Sequence, residues 1–96
     1  MPDLTFTLNA IPARTPSVVS QRAGQEVVLV LPLQGKVKVL NEVGARIWDL
    51  CDGGHSVRQI AATICREYTV ESSQAEADTL SFFNELAQRG VVSIVR

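Results

Sequence analysis

The chain is short of the residues that active-site chemistry draws on. Among its 96 residues are two cysteines, Cys51 and Cys65, and one histidine, His55. A zinc site takes about four ligands from cysteine, histidine or carboxylate. The segment "CDGGH", Cys51 to His55, concentrates a thiol, a carboxylate and the imidazole, but no second cluster completes a ligand set. A nucleophilic Cys51 needs a base and an orienting third group. The sole histidine lies four residues on, across a helix end. Gly53-Gly54 has neither the spacing nor the lysine of a phosphate loop. Asp49, Asp52, Glu76 and Asp78 show no motif spacing and read as solvated acids. No catalytic residue, metal ligand or cofactor is expected, and the chain is not read as an enzyme.

Long apolar runs are absent too. No stretch of about 18 apolar residues is present, so no membrane span is expected. The start, "MPDLTFTLNAIPARTPS", lacks the basic end, apolar segment and cleavage site of an export signal. The expectation is a cytoplasmic protein with reduced thiols. Charge of one sign is missing as well: 9 Lys+Arg stand against 10 Asp+Glu, a net charge of -1. Nothing in that balance draws the chain to nucleic acid or an anionic membrane.

What is there is a core: 46% of the residues are hydrophobic, enough for one small domain. The first 17 residues hold three of the four prolines and read as an extended arm. Within it "LTFTL", Leu4 to Leu8, alternates with strand period. Residues 18–96 form the domain. Val18 to Arg22 reads as a first strand ended by "AGQ". "EVVLVL", Glu26 to Leu31, is continuously apolar, as suits a central strand covered on both faces. "PLQG" turns the chain into "KVKVL", Lys36 to Leu40. There Val37 and Val39 face one way and Lys36, Lys38 and Leu40 the other.

From Asn41 the period becomes helical. Asn41 caps a first helix with the stripe Val43, Ile47, Trp48, Leu50 and Cys51, which "DGG" ends. Ser56 and Gln59 have capping-box spacing at the start of a second helix. Its stripe is Val57, Ile60, Ala61, Ile64, Cys65 and Tyr68. Ser73 and Glu76 offer a further box for a third helix, with Thr79, Leu80, Phe83, Leu86 and Ala87 inward and Phe82 widening the stripe. Gly90 is a stop, and "VVSIV", Val91 to Val95, a short last strand. The fold class is α+β: a three-stranded antiparallel sheet followed by three helices, like a winged helix-turn-helix.

A winged helix can bind DNA through its third helix. Here Glu71 to Arg89 carries Glu71, Glu76, Asp78 and Glu85 against Arg89 alone, a segment that phosphates repel. The sheet edge is more informative. Lys36 and Lys38 are the only lysines in the chain and share a strand face. Edge lysines discourage aggregation; the same edge can accept a partner peptide as an added strand. Lysines there would attract acidic peptide residues. A structural or dimerisation module using this edge, or the "LTFTL" arm, remains an alternative, with a monomer or weak homodimer expected.

"VKVLNEVGARIWDLCDGGHSVRQIAATI" followed by "AEADTLSFFNELAQRGVV" resembles the PqqD family of peptide-recognition proteins. Leu40-Asn41, Gly44, Ala45, Ile47, Leu50, Asp52-Gly53, Val57 and Ile60 carry the resemblance, then Asp78, Phe82, Leu86 and Gly90, over roughly residues 26 to 93. It implies a RiPP recognition element, a non-catalytic domain that binds the leader segment of a ribosomally made precursor peptide. The leader adds as a strand beside the third strand, in a cleft completed by the third helix. It is then delivered to a modifying enzyme, in many pathways a radical SAM protein. By position, the resemblance implies peptide binding by Lys36, Val37, Lys38, Val39 and Leu40 on the edge, and by Asp78, Phe82 and Leu86 on the helix. Phe82 is favoured over Phe83 for the cleft. Members serving pyrroloquinoline quinone synthesis typically begin with an Arg-Leu-x-Trp-Glu-like segment and carry Gly-Trp after the last helix. "VVSQRAGQE" and "RGVVSI" stand there instead, which points to a related peptide-modification pathway.

Overall fold

The structure is a computed structural model that describes residues 6–31 and 35–95. Eight elements follow in order: β1 Ile11–Arg14, β2 Val19–Ala23, β3 Glu26–Leu31, β4 Lys36–Leu40, α1 Glu42–Leu50, α2 Val57–Tyr68, α3 Ser72–Gln88 and β5 Val92–Val95. The main sheet is the antiparallel meander β2-β3-β4, the three-stranded sheet expected from the sequence, and all three helices follow it.

The β2–β3 hairpin pairs Ala23 with Glu26, leaving Gly24 and Gln25 as the loop. Gly24 sits at φ 65, the positive value that such a two-residue turn asks of its first position. Across β3 and β4, Val27 faces Leu40, Leu29 faces Lys38 and Leu31 faces Lys36. Three of the four residues of "PLQG" fall outside the described residues.

β3 is central, but it is covered on one face only. Val27, Leu29 and Leu31 are buried, whereas Val28 is half-buried and Val30 exposed. Its valines suggested two covered faces because valine serves either environment; all the helices pack on one side. Period 2 then sends alternate residues to solvent. Val37 and Val39 share that outer face, and Lys36, Lys38 and Leu40 lie on the helix side.

The helix signals act locally. The Asn41 side chain accepts from the Gly44 amide at 2.9 Å. At α2 the Ser56–Gln59 box is complete: the Gln59 amide donates to the Ser56 hydroxyl at 3.2 Å, and the Ser56 amide to the Gln59 side chain at 2.9 Å. The box expected from Ser73 and Glu76 does not form. α3 starts earlier, with Glu71 as its cap and no side-chain capping bond. Ser73 instead donates its hydroxyl to the Glu71 carboxylate at 2.8 Å, so it is already inside the first turn.

The sequence shows no clear strand at 11–14, yet β1 pairs antiparallel with β5 in a second, two-stranded sheet. The alternation of "LTFTL" does not become a strand over residues 6–8, the part of it that is described. Phe6 instead enters the core, 5.6 Å from Phe83 ring to ring, and its amide donates to the Asn84 side chain. The backbone amides of Val57 and Arg58 donate to the carbonyls of Ala10 and Leu8, both at 2.9 Å. Residues 6–14 are thus built into the packing, and no gap marks the expected boundary at residue 17. The core itself centres on Leu29, Trp48, Val57, Ile60, Phe83, Leu86 and Val91.

Candidate functional site

Among the described residues β4 pairs with β3 alone, so its other edge is open. In an edge strand, alternate amides and carbonyls point outward without a ladder partner. Beside this edge lies a cleft of about 290 Å3 between β4, the first half of α1 and the outer face of α3. Its β4 wall is Lys38, Val39 and Leu40; α1 and its cap contribute Asn41, Val43, Gly44 and Ile47; α3 contributes Asp78, Phe82 and Glu85.

The spacing 78, 82, 85 sets those three side chains on one stripe of α3. Thr79, Phe83 and Leu86 form the adjoining, buried stripe. Adjacent phenylalanines thereby divide: Phe83 anchors the core, while Phe82 is half-buried and packs edge-on against it at 5.7 Å. Gly44 lets α1 approach. A Cβ there would lie 3.2 Å from the Phe82 ring, tighter than ordinary van der Waals contact, and 3.4 Å from Leu40 Cβ.

Among the residues expected at the site, Lys38, Val39, Leu40, Asp78 and Phe82 come together around the cleft. Lys36 and Val37 lie on the same open strand, outside the cleft lining, and are exposed. Leu86 does not reach the cleft: it has no exposed surface and faces the core, because four residues overshoot a full helical turn by about 40° and rotate it from Phe82 toward Phe83. Lys38 is not the free cation that the sequence suggested. Its ammonium meets Glu85 at 3.1 Å and its side chain is only 25% exposed. The sequence reading missed Val43, Gly44, Ile47 and Glu85 as cleft residues. The α1 stripe foretold the apolar pair, and Gly44 inside a helix, where glycine is disfavoured, marked a close approach.

The segment "CDGGH" is structural. Cys51 is buried, and burial pushes its thiol up to about 12, although the Arg14 charge pulls the other way. The Arg14 guanidinium donates to the Cys51 carbonyl at 3.1 Å and lies over the Trp48 ring. The Asp52 carboxylate accepts from the Gly54 amide and meets the His55 ring, both at 2.9 Å. These contacts hold it below the usual carboxylate range, the Gly54 bond first. Gly53 takes φ 82 as the chain leaves α1. Among the described residues no cluster of three metal-ligating side chains is found, and no helix is long and apolar enough to cross a membrane.

Comparison with known proteins matches residues 26–92 to the family described as coenzyme PQQ synthesis protein D (PqqD). The chain belongs to this family. The PqqA binding protein of Rhodopseudomonas palustris (strain HaA2) is 30% identical over 61 residues, which cover 64% of this chain and 60% of that relative. The solution structure of the PqqD portion of Methylobacterium extorquens PqqCD, described as a functional, stand-alone RiPP recognition element, superposes with a TM-score of 0.77 at 25% identity, covering 94% of this chain and 96% of that one. TbiB1 in complex with the TbiA(beta) leader peptide gives 0.76 at 34% identity, covering 83% and 93%. A lasso peptide synthetase B1 complexed with the leader peptide gives 0.76 at 26%, covering 86% and 98%.

Proposed function

We propose that this chain binds the leader segment of a ribosomally synthesised precursor peptide by strand addition and presents it to a modifying enzyme. One observation carries the reading: an open strand edge, β4, borders a cleft with an apolar floor on the helix side of the sheet. An added strand has two grips there. Its backbone hydrogen-bonds along Lys36 to Leu40, and every second side chain enters the cleft. Leu40, Val43, Gly44, Ile47 and Phe82 supply apolar contact, with Lys38, Asp78 and Glu85 at the rim. The leader complexes of TbiB1 and the lasso peptide synthetase B1 support this reading by likeness of fold.

The chain itself is read as non-catalytic: its thiols and acids do packing and turn-forming work, and the cleft gathers no nucleophile with a base. The partner is a peptide-modifying enzyme, a radical SAM protein in one form of the reading. The setting is the cytoplasm, where a ribosomal precursor is made. The product is read as something other than pyrroloquinoline quinone, on the strength of the segments flanking the matched region. The test is an NMR titration with precursor peptides encoded beside the gene. Binding is expected to shift and protect alternate amides of Lys36 to Leu40 and to move the Phe82 ring signals. A leader that binds with those signals unmoved overturns the reading.

A further inference from the structure

The cleft has a charge left over, and it has the opposite sign to the one the two lysines suggest. Lys38 is neutralised across the cleft by Glu85 at 3.1 Å. Glu85 also has Arg89 at 4.0 Å, a cation outside the cleft lining. Asp78, at the other end of the α3 stripe, accepts a hydrogen bond from Gln74 at 2.8 Å, and no cation lies within ion-pair distance of it among the described residues. Of the three charged side chains that line the cleft, only the Asp78 carboxylate has no oppositely charged partner.

Helix and strand spacings convert this into a pattern. Four residues separate Asp78 from Phe82, a helical rise of about 6 Å. Two residues of an added strand span about 6.8 Å and point to the same face. A strand residue against Phe82 therefore has its second neighbour level with Asp78. Leu40, Gly44 and Phe82 meet at one level, since a Cβ on Gly44 would touch both of the others. Lys38 stands level with Glu85, so Asp78 lies beyond the C-terminal end of β4. Every strand pair described in this molecule is antiparallel. Addition in the same sense brings the peptide in from the Asp78 end.

Resting on the strand-addition reading above, we infer that the leader presents a basic residue, Arg or Lys, two positions before a large apolar residue, with Asp78 selecting the first and the Phe82–Gly44 floor the second. The polar pair Lys38–Glu85 favours neither sign at the next cleft-facing position. Asp78 is exposed in the free chain, so its contribution is modest. An exposed ion pair gives about a 1.5- to 5-fold preference. Selection can still read that preference, because strand addition otherwise tolerates many sequences.

A displayed library of random peptides, long enough to hold a strand of about six residues, is panned on the full chain and on Asp78→Asn and Asp78→Lys. Enriched peptides are retained when they shift the Lys36 to Leu40 amides, and circular dichroism confirms that each variant is folded. The expected result is basic-x-apolar enrichment on the native chain, its loss on Asp78→Asn, and acidic-x-apolar enrichment on Asp78→Lys. Peptides that shift β4 with no basic preference, or with the same preference on Asp78→Asn, overturn the inference and leave strand addition standing. A library yielding no peptide that shifts β4 overturns both.

Discussion

Gly44 occupies a helical position where alanine is normally favoured by about 0.5–1 kcal/mol. Its neighbour Phe82 is half-buried beside an open cleft and is able to move outward. Gly44→Ala is therefore expected to hold or slightly raise the melting temperature while displacing the Phe82 ring into the cleft. Leader affinity, measured by calorimetry, should fall several-fold with no loss of stability; equal affinity would show that the α1 wall does not touch the peptide. Cys51 makes a prediction of another kind. Its thiol ordinarily ionises near 9.0 and in the fold is pushed up to about 12 by burial. Below pH 9 the folded and unfolded chains both hold the proton, so the buried neutral thiol is fully tolerated. Between pH 9 and 12 only the unfolded chain loses it, and stability falls by about 1.4 kcal/mol per pH unit. Urea titrations at pH 8 and 10.5 should show this fall, and Cys51→Ala, although weaker at pH 8, should show a shallower one. Identical slopes would mean that the thiol is not held neutral.

Elements differ in how plainly the chain announces them. The helix starts at Asn41 and Ser56 depend on groups three residues apart, so local spacing suffices to find them. The cleft was legible in part for a similar reason: the 78, 82, 85 stripe and the β4 alternation are both periodic. β1 had no local signal. It is four residues long, contains Pro12, and becomes a strand by pairing with β5, some 80 positions away. The burial of Phe6 and the loss of Leu86 to the core likewise depend on which face meets which neighbour, and no short window records that. The N-terminal segment should matter for stability in proportion. Phe6 packs on Phe83 with almost no exposed surface. Phe6→Ala is expected to cost about 3 kcal/mol, the range for emptying a core aromatic site. Chemical denaturation measures this; a loss under 1 kcal/mol would show the segment to be only loosely seated. The cleft is lined by Phe82 and by neither Phe83 nor Phe6, so leader affinity at low temperature should survive the change.

At the scale of the whole molecule, charge and apolar surface are segregated. Ion pairs Arg22–Asp49 and Arg46–Glu67, each 2.8 Å, tie β2 to α1 and α1 to α2 on the helix side. The outer sheet face has little charge: Val19, Val30, Val37 and Val39 are exposed there, and Gln21 and the half-buried Val28 lie between them. Such a face invites a second copy, and area decides whether one stays. Three strands about 4.8 Å apart and five residues long at about 3.4 Å each present roughly 240 Å2 per copy. A stable complex takes about 800 Å2 from each partner. Sheet-to-sheet stacking alone falls well short, so the chain is expected to be monomeric at micromolar concentration and to self-associate only near the millimolar range. Sedimentation velocity across that range checks this. Val19→Thr with Val30→Thr should abolish the residual association while leaving leader binding unchanged, because both residues lie on the outer face and neither belongs to β4. A dimer persisting at micromolar concentration and insensitive to those substitutions would mean that the β4 edges pair with each other instead. Leader peptide would then have to compete with the dimer, and adding it should dissociate the pair.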